Sequence, residues 1–532
     1  MLLWGPVEAQ RARNFVLHDT TSQAPHNWFN LDPETDRIPG VSTERAYREL
    51  LSGKTPTEVI VAVIDSGIDV EHEDLQGRIW VNPGEIAGNG LDDDGNGYVD
   101  DVHGWNFIGG PNGEHVDFDT YEVTRLYKVL HAKYEGKTVA QADNKHEFAL
   151  YQKVKEEFEA EREQWESQAV AFRPFYEQYA AARSQLQAAL GKEEITLQDL
   201  EQFDPQTDEL KLARGIVGFA YTNDLDDAQI EEFHSYITRF LDYNLNPNFD
   251  PRHIVGDDYS NKQERFYGNG LVEGPDAEHG THVAGIIAAR RDNALGMAGI
   301  AAPVKIMVLR AVPNGDERDK DIANAIRYAV DNGARIINMS FGKAYSPDKA
   351  LVDEAVRYAA AKGVLLVHAA GNDSKNIDQG DNFPTKRFLG SKKSAENWLE
   401  VGASAWGSGT TFVGDFSNYG RKTVDVFAPG VDLYSTVPGS EYRSMSGTSM
   451  AAPVVSGVAA LLMAYYPELS ASQVKDILKQ SAVRYTKGRV NLPGEEPESK
   501  RGQTRFKKLS NTGGVVNAYY ALQLAQKQSK RQ

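Results

Sequence analysis

The sequence predicts an α/β fold: a mainly parallel sheet flanked by helices, with a large helical insertion. Three observations point there. The runs Val59–Ile64, Lys305–Arg310, Ala334–Met339 and Val364–Ala369 are short, apolar and without strict alternation, as strands buried on both faces are. Helical patterns near 319–332 and 348–362 separate the later runs, and βαβα alternation implies parallel strands with helices on both faces. Residues 118–250 instead repeat aromatic residues every seven positions, the mark of packed helices.

The chain has 532 residues, 41% hydrophobic and 25% charged, enough for two or three domains or one enlarged α/β domain. Net charge is −19, which disfavours nucleic acid and anionic membranes as partners and suits calcium. No apolar run is long enough to span a bilayer. There is no cysteine, so disulfides and a thiol nucleophile are excluded. Met1–Gln10 is apolar without a basic start. It reads either as the tail of a signal peptide whose beginning is missing or as an ordered N-terminal arm.

Residues 11–55 are polar and turn-rich around Trp28, Phe29 and Leu31, and Ser42–Leu51 has helical spacing that stops at Gly53. The first strand ends in Asp65-Ser66-Gly67, an acid at the carboxyl end of a buried parallel strand, where open α/β sheets carry their sites. In Leu91–Asp101, Asp92, Asp94 and Asn96 alternate, Gly97 permits a turn and Tyr98 offers its carbonyl. This matches the first half of a calcium loop with hard oxygen donors. Position twelve of such a loop is His103 rather than Glu, so Asp100 or Asp101 is expected to close the shell.

Gly104–Phe107 reads as another strand. In the insertion, Tyr151, Phe158, Trp165, Phe172, Tyr179 and Leu186 recur every seven residues; Pro174 is expected to kink or split this helix, and Gly191 to end it. Thr196 with Asp199 signals the next helix start, and two shorter helices follow near 206–221 and 226–243. The segment holds 26 acidic against 14 basic residues, most of the chain's net charge, on what reads as a solvated face around its own aromatic core.

Ser449 lies between the small run Ser444–Thr448 and an apolar helical pattern from Met450 to Leu462. A helix start supplies free N–H groups and a favourable dipole for developing negative charge. Alone, this is an N-cap serine. A hydroxyl acts as a nucleophile only with a base and an orienting acid supplied elsewhere in the chain. His279 opens a helical run of small residues, and the order Asp65, His279, Ser449 is one of three in which such triads occur.

Four segments, Asp65-Ser66-Gly67-Ile68-Asp69, His279-Gly280-Thr281-His282-Val283-Ala284-Gly285, Ala369-Ala370-Gly371-Asn372 and Gly447-Thr448-Ser449-Met450-Ala451, together resemble the subtilisin-like serine proteases, the subtilases. The resemblance covers about 56–110 and 275–525. It implies a subtilisin-like three-layer fold and a serine endopeptidase acting on protein or peptide substrates. By it Asp65, His279 and Ser449 form the triad, and Asn372 is the side-chain oxyanion donor. Ser340-Phe341-Gly342 and Ala369-Ala370-Gly371 would wall the pocket for the residue before the scissile bond. Asp74 matches a structural calcium ligand, with Asn293 in its expected partner loop, and Phe383-Pro384 matches a cis bond. Asp373 hints at a basic substrate residue, while His282 reads as structural.

The expected division is 1–117, holding the N-terminal arm, the Asp65 motif and the calcium loop; 118–250, the acidic insertion; 251–525, the rest of the catalytic domain; and 526–532, a basic tail. Too few residues precede Asp65 for a usual inhibitory prodomain. The reading places the chain outside a bacterial cytoplasm and leaves its oligomeric state open. Two rivals remain: a non-catalytic binding protein on the same scaffold, and a maturation protease that cuts one or few sites. The insertion is expected to project from the rim of the cleft.

Overall fold

The computed structural model describes residues 24–485, 488–496, 499 and 501–529; Met1–Gln10 and the end of the basic tail lie outside them. Contacts divide the chain into two compact units, one of residues up to Asp117 together with those from Pro251, the other Phe118–Asp250.

The first unit is built on a nine-stranded sheet. In chain order the strands are β1 (Val59–Asp65), β2 (Gly104–Asn106), β3 (Val304–Arg310), β4 (Ile336–Met339), β5 (Leu365–Ala369), β6 (Trp398–Ser404), β7 (Val426–Pro429), β8 (Leu433–Val437), β9 (Glu441–Met445), β10 (Val483–Arg484), β11 (Val490–Asn491), β12 (Gln503–Thr504) and β13 (Gly514–Val515). The sheet runs β10-β13-β7-β6-β5-β4-β1-β3-β2, while β8–β9 and β11–β12 form separate antiparallel pairs. Within the sheet only β10–β13 is antiparallel.

Strand β1 shows why its sequence lacks alternation. Val59, Val61 and Val63 enter one core with the helices Glu278–Ala288 and Thr448–Tyr465, whereas Ala62 and Ile64 enter a second with Asp319–Asp331 and Lys349–Ala361. Both faces of the strand are covered, giving three layers, and each fully buried Val or Ile contributes roughly 1.5–3 kcal/mol. Among the described residues one helix, Thr448–Tyr465, is long and apolar enough to cross a membrane, but 89% of it is buried inside the protein. It is the central helix of the first core. Because the strands run parallel, Asp65, Arg310 and the segments after β4 and β5 emerge at one edge of the sheet, where such sheets carry their sites. The Phe383–Pro384 bond is cis.

The second unit is helical: Glu122–Tyr134, Lys145–Leu190, Leu197–Gln202, Asp208–Thr222, Asp227–Thr238 and a π-helical end, Arg239–Asn244. The 46-residue helix starts where Asn144 caps the N–H groups of His146 and Glu147, and ends at Gly191 with φ 67°. The expected stripe faces inward: Tyr151, Phe158, Tyr179 and Leu186 are buried, and Trp165, half-buried, stacks on Phe240 at 4.0 Å. Pro174 does not split this helix. A single proline removes one hydrogen bond, at a cost of about 3 kcal/mol, and the apolar stripe runs on either side of it to hold both halves. Thr196 and Asp199 form the reciprocal cap expected of them.

Candidate active site

Asp65 ends β1 and is 2% exposed. His279 is the second residue of the helix Glu278–Ala288. That helix packs straight onto the turn after Asp65, because a Cβ on Gly280 would lie 2.0 Å from the Gly67 carbonyl. The approach sets His279 Nδ1 2.7 Å from Asp65 Oδ1. The same oxygen accepts the Ser66 N–H at 2.8 Å. Burial pushes the His279 pKa down, but the Asp65 charge and hydrogen bond, with Asp276 and Glu278 beyond, outweigh it and leave the imidazole above its ordinary value. With Nδ1 held by Asp65, Nε2 is the nitrogen free to take a proton.

Ser449 is the second residue of the buried helix Thr448–Tyr465 and is itself half-buried. Its backbone is fixed from below: Ser340 Oγ donates to Ser449 O at 2.8 Å, Asn338 Nδ2 donates to Ser340 Oγ at 2.9 Å, and Ser456 Oγ donates to Asn338 Oδ1 at 2.8 Å. The Ser449 hydroxyl donates to the Ser340 carbonyl at 3.1 Å, and among the described residues no hydrogen bond joins it to His279.

Asn372 is oriented by one residue. Thr448 donates to its Oδ1 from both N and Oγ1, each at 2.9 Å, and Thr448 Oγ1 accepts the Gly371 N–H at 3.0 Å. With Oδ1 engaged, the amide NH₂ is left to donate elsewhere. Thr448, quoted in the sequence motif only as a neighbour of Ser449, thus orients the Asn372 amide. No sequence signal separates it from an ordinary first-turn threonine.

The match that decides the family lies over this frame: the model of the subtilase family fits residues 57–511. The chain belongs to the subtilase family. Among relatives, a thermophilic serine proteinase of Bacillus sp. (strain AK1) is 45% identical over 185 residues, 35% of this chain and 42% of the relative. A cell wall-associated protease of Bacillus subtilis (strain 168) is 41% identical over 208 residues, 39% of this chain and 21% of the relative. Subtilisin DY of Bacillus licheniformis is 38% identical over 222 residues, 40% of this chain and 76% of the relative. The chain thus spans less than half the length of the first two.

In this subtilase one of the two expected pocket walls, Ala369-Ala370-Gly371, is held by asparagines. Asn382 Nδ2 donates to Ala369 O at 3.2 Å, and Asn418 ties Ala370 O and Gly371 O at 2.9 Å each. Phe341 is half-buried and meets the buried His368 ring edge-on at 6.3 Å; Gly342 is exposed beside it. Asp373 is occupied: its Oδ2 accepts from Asn418 Nδ2 at 3.0 Å. His282 is structural, its Nε2 lying 3.0 Å from both Leu433 O and Arg443 O. Burial lowers its pKa to about 4.

The acidic loop differs from expectation at its closing end. Glu85, Asp92 and Asp94 bring their carboxylates within 4.8 Å of one another. Asn96 joins them, its Nδ2 donating to Asp94 Oδ2 at 3.1 Å, and the Tyr98 N–H donates to Asn96 Oδ1 at 2.8 Å. Asp100 stands outside this group, its two oxygens accepting the N–H groups of Gly88, Asn89 and Gly90. So does Asp101, which is fully buried and accepts from Asn82, Asn96 and Tyr328. Glu85 is the third carboxylate of the group instead, seven residues before Asp92 and so outside any EF-hand window. Its Oε2 is buried and accepts no hydrogen bond among the described residues. An all-oxygen donor set with one orphaned buried carboxylate oxygen fits Ca²⁺. Asp74 and Asn293 are brought together, but by a direct bond, Asn293 Nδ2 donating to Asp74 Oδ1 at 2.7 Å. Burial pushes the Asp74 pKa up.

Proposed function

We propose that this subtilase is a serine endopeptidase working through Asp65, His279 and Ser449, with Asn372 as oxyanion donor. The observation that carries the reading is the 2.7 Å bond from His279 Nδ1 to a buried Asp65, which commits Nε2 to proton transfer. Ser449 Oγ bonds to the peptide carbonyl carbon while its proton passes to Nε2. The oxyanion is met by the Asn372 NH₂ and the Ser449 N–H at the helix start. Nε2 then gives the proton to the leaving amine as the C–N bond breaks. Water, deprotonated by the same nitrogen, releases the acyl group. Asp65 stays ionised and stabilises the imidazolium.

Glu85, Asp92, Asp94 and Asn96 would hold a calcium ion, which when bound contributes stability to the loop. Residues 118–250 are read as governing which substrates reach the cleft. Their first root supports this: Asn314 Nδ2 donates both to Asp117 Oδ1 at 2.9 Å and to Asp276 Oδ2 at 3.2 Å, three residues before His279. Location outside the cytoplasm is supported by the relative named as cell wall-associated. The test compares peptide and folded-protein cleavage by the whole chain, by Ser449→Ala, and by a variant with residues 119–250 replaced by a short Gly/Ser bridge. Ser449→Ala is expected to abolish both activities, and full turnover by it refutes the assignment. The bridged variant is expected to keep peptide cleavage and alter protein cleavage; parental rates on both refute the gating role.

A further inference from the structure

Arg310 ends β3, and the β1–β3 register sets it beside Asp65. It is 1% exposed, among the largest fully buried side chains. A buried guanidinium ordinarily takes a carboxylate partner. Among the described residues none pairs with it. Its donors go to three neutral oxygens: Nε to Ser66 O at 2.8 Å, Nη2 to Val116 O at 2.6 Å and Nη1 to Asn106 Oδ1 at 3.3 Å. Burial lowers its pKa to about 10, with Asp117 and Asp276 opposing the shift from a distance, so it remains charged at neutral pH. The fold keeps space for it, since a Cβ on Gly274, at φ 72°, would lie 2.1 Å from Nε. Holding a desolvated charge on neutral acceptors is costly, and an apolar side chain would fill the volume without that cost.

The three acceptors say what the charge does. Ser66 O belongs to the residue after the triad acid, whose own carbonyl accepts the Ala311 and Val312 N–H groups. Asn106 ends β2. Val116 lies immediately before Asp117, the root from which residues 118–250 depart. The neighbouring Asn314 grips Asp117 through N and Nδ2 and also reaches Asp276, whose Oδ1 accepts the Glu278 N–H at the start of the His279 helix.

We propose that Arg310 is a positioning residue for the Asp65–His279 pair, clamping the turn after Asp65 to the chain segment that leads into the insertion. Its consequence for turnover rests on the endopeptidase reading; its consequence for the Asp65–His279 hydrogen bond does not. A rigid clamp needs all three directions of the guanidinium fork. Lysine keeps the charge but not the fork, and methionine keeps only the volume.

Arg310→Met and Arg310→Lys in the full chain test this with two readouts. Proton NMR in a Ser449→Ala background reads the downfield His279 Nδ1 proton, whatever the activity of the chain. Kinetics on a short peptide, with active sites counted by burst titration, read kcat and KM per working enzyme. The parent is expected to show the downfield proton. Arg310→Met is expected to lose it and to lower kcat about 10²-fold, the size of effect that a misplacement of about 1 Å produces, with KM within about twofold. Arg310→Lys is expected to recover part of both. If either folded variant keeps the proton signal and the parental kcat per active site, Arg310 is a packing residue and the proposal falls; should the methionine variant not fold, the lysine variant decides. If the parent shows the proton, the variants lose it, and no form cleaves peptide, the positioning role stands and the endopeptidase reading falls.

Discussion

Thr448→Val isolates how the oxyanion donor is aimed. The substitution keeps shape and volume at a fully buried position and removes only Oγ1. Two hydrogen bonds go with it: the one to Asn372 Oδ1 and the one from the Gly371 N–H. The Thr448 N–H still holds Asn372 Oδ1 at 2.9 Å, so the amide loses one of two anchors rather than both. Loss of an oxyanion donor altogether costs about 10²–10³ in kcat, and one net hydrogen bond is worth about 0.5–1.5 kcal/mol. Partial loosening therefore predicts a fall of about tenfold in kcat, near 1.4 kcal/mol, with KM little changed. Steady-state kinetics on a short peptide give the single effects, and a double-mutant cycle with Asn372→Ala gives the coupling. If Thr448 acts only through Asn372, adding Thr448→Val to Asn372→Ala costs nothing further. Full additivity would refute the reasoning and place Thr448 elsewhere in the mechanism.

In the proposed mechanism catalysis needs neutral His279, and Asp65, Asp276 and Glu278 together raise its pKa despite burial. The acid limb of kcat/KM is therefore expected above 6.5, the ordinary imidazole value, and a midpoint below 6.5 contradicts this electrostatic account. His282 behaves oppositely: burial takes its folded-state pKa from 6.5 to about 4. Between those values the unfolded chain binds a proton that the folded chain does not, so stability falls with pH by up to about 3 kcal/mol. Urea unfolding from pH 7 to 4 should show that slope, flattened in His282→Gln, and equal slopes would sink the assignment. If calcium binds the folded loop at a hundredfold excess over Kd, it adds about 2.7 kcal/mol. Chelation should then lower the melting midpoint of the parent more than that of Glu85→Gln, and identical shifts would remove Glu85 from the site.

The sheet was legible because strands buried on both faces leave unbroken apolar runs, as in β1, and because helices with strong caps announce themselves, as Thr196 and Asp199 did. The roles proposed for Asp65, His279, Asn372 and Ser449 could be read only from an ordered set of motifs, since each residue alone has a bland structural use. What the sequence hid are residues that act through space. Glu85 meets Asp92 and Asp94 only after the chain folds back, while Asp100 and Asp101, adjacent in sequence to the loop, are taken up by backbone N–H groups and by Tyr328. Arg310 looked like the charged end of a strand, and its importance lies in acceptors from three distant segments. Pro174 does not split its helix because a local breaking tendency lost to packing along 46 residues.

The central claim is that Ser449 is a nucleophile activated by His279. Reaction of the native chain with a fluorophosphonate, followed by peptide mass mapping, tests it most directly. The account predicts a single stoichiometric adduct on Ser449 that is suppressed in His279→Ala and absent in Ser449→Ala. Labelling of another residue, or undiminished labelling of Ser449 when His279 is gone, would contradict it.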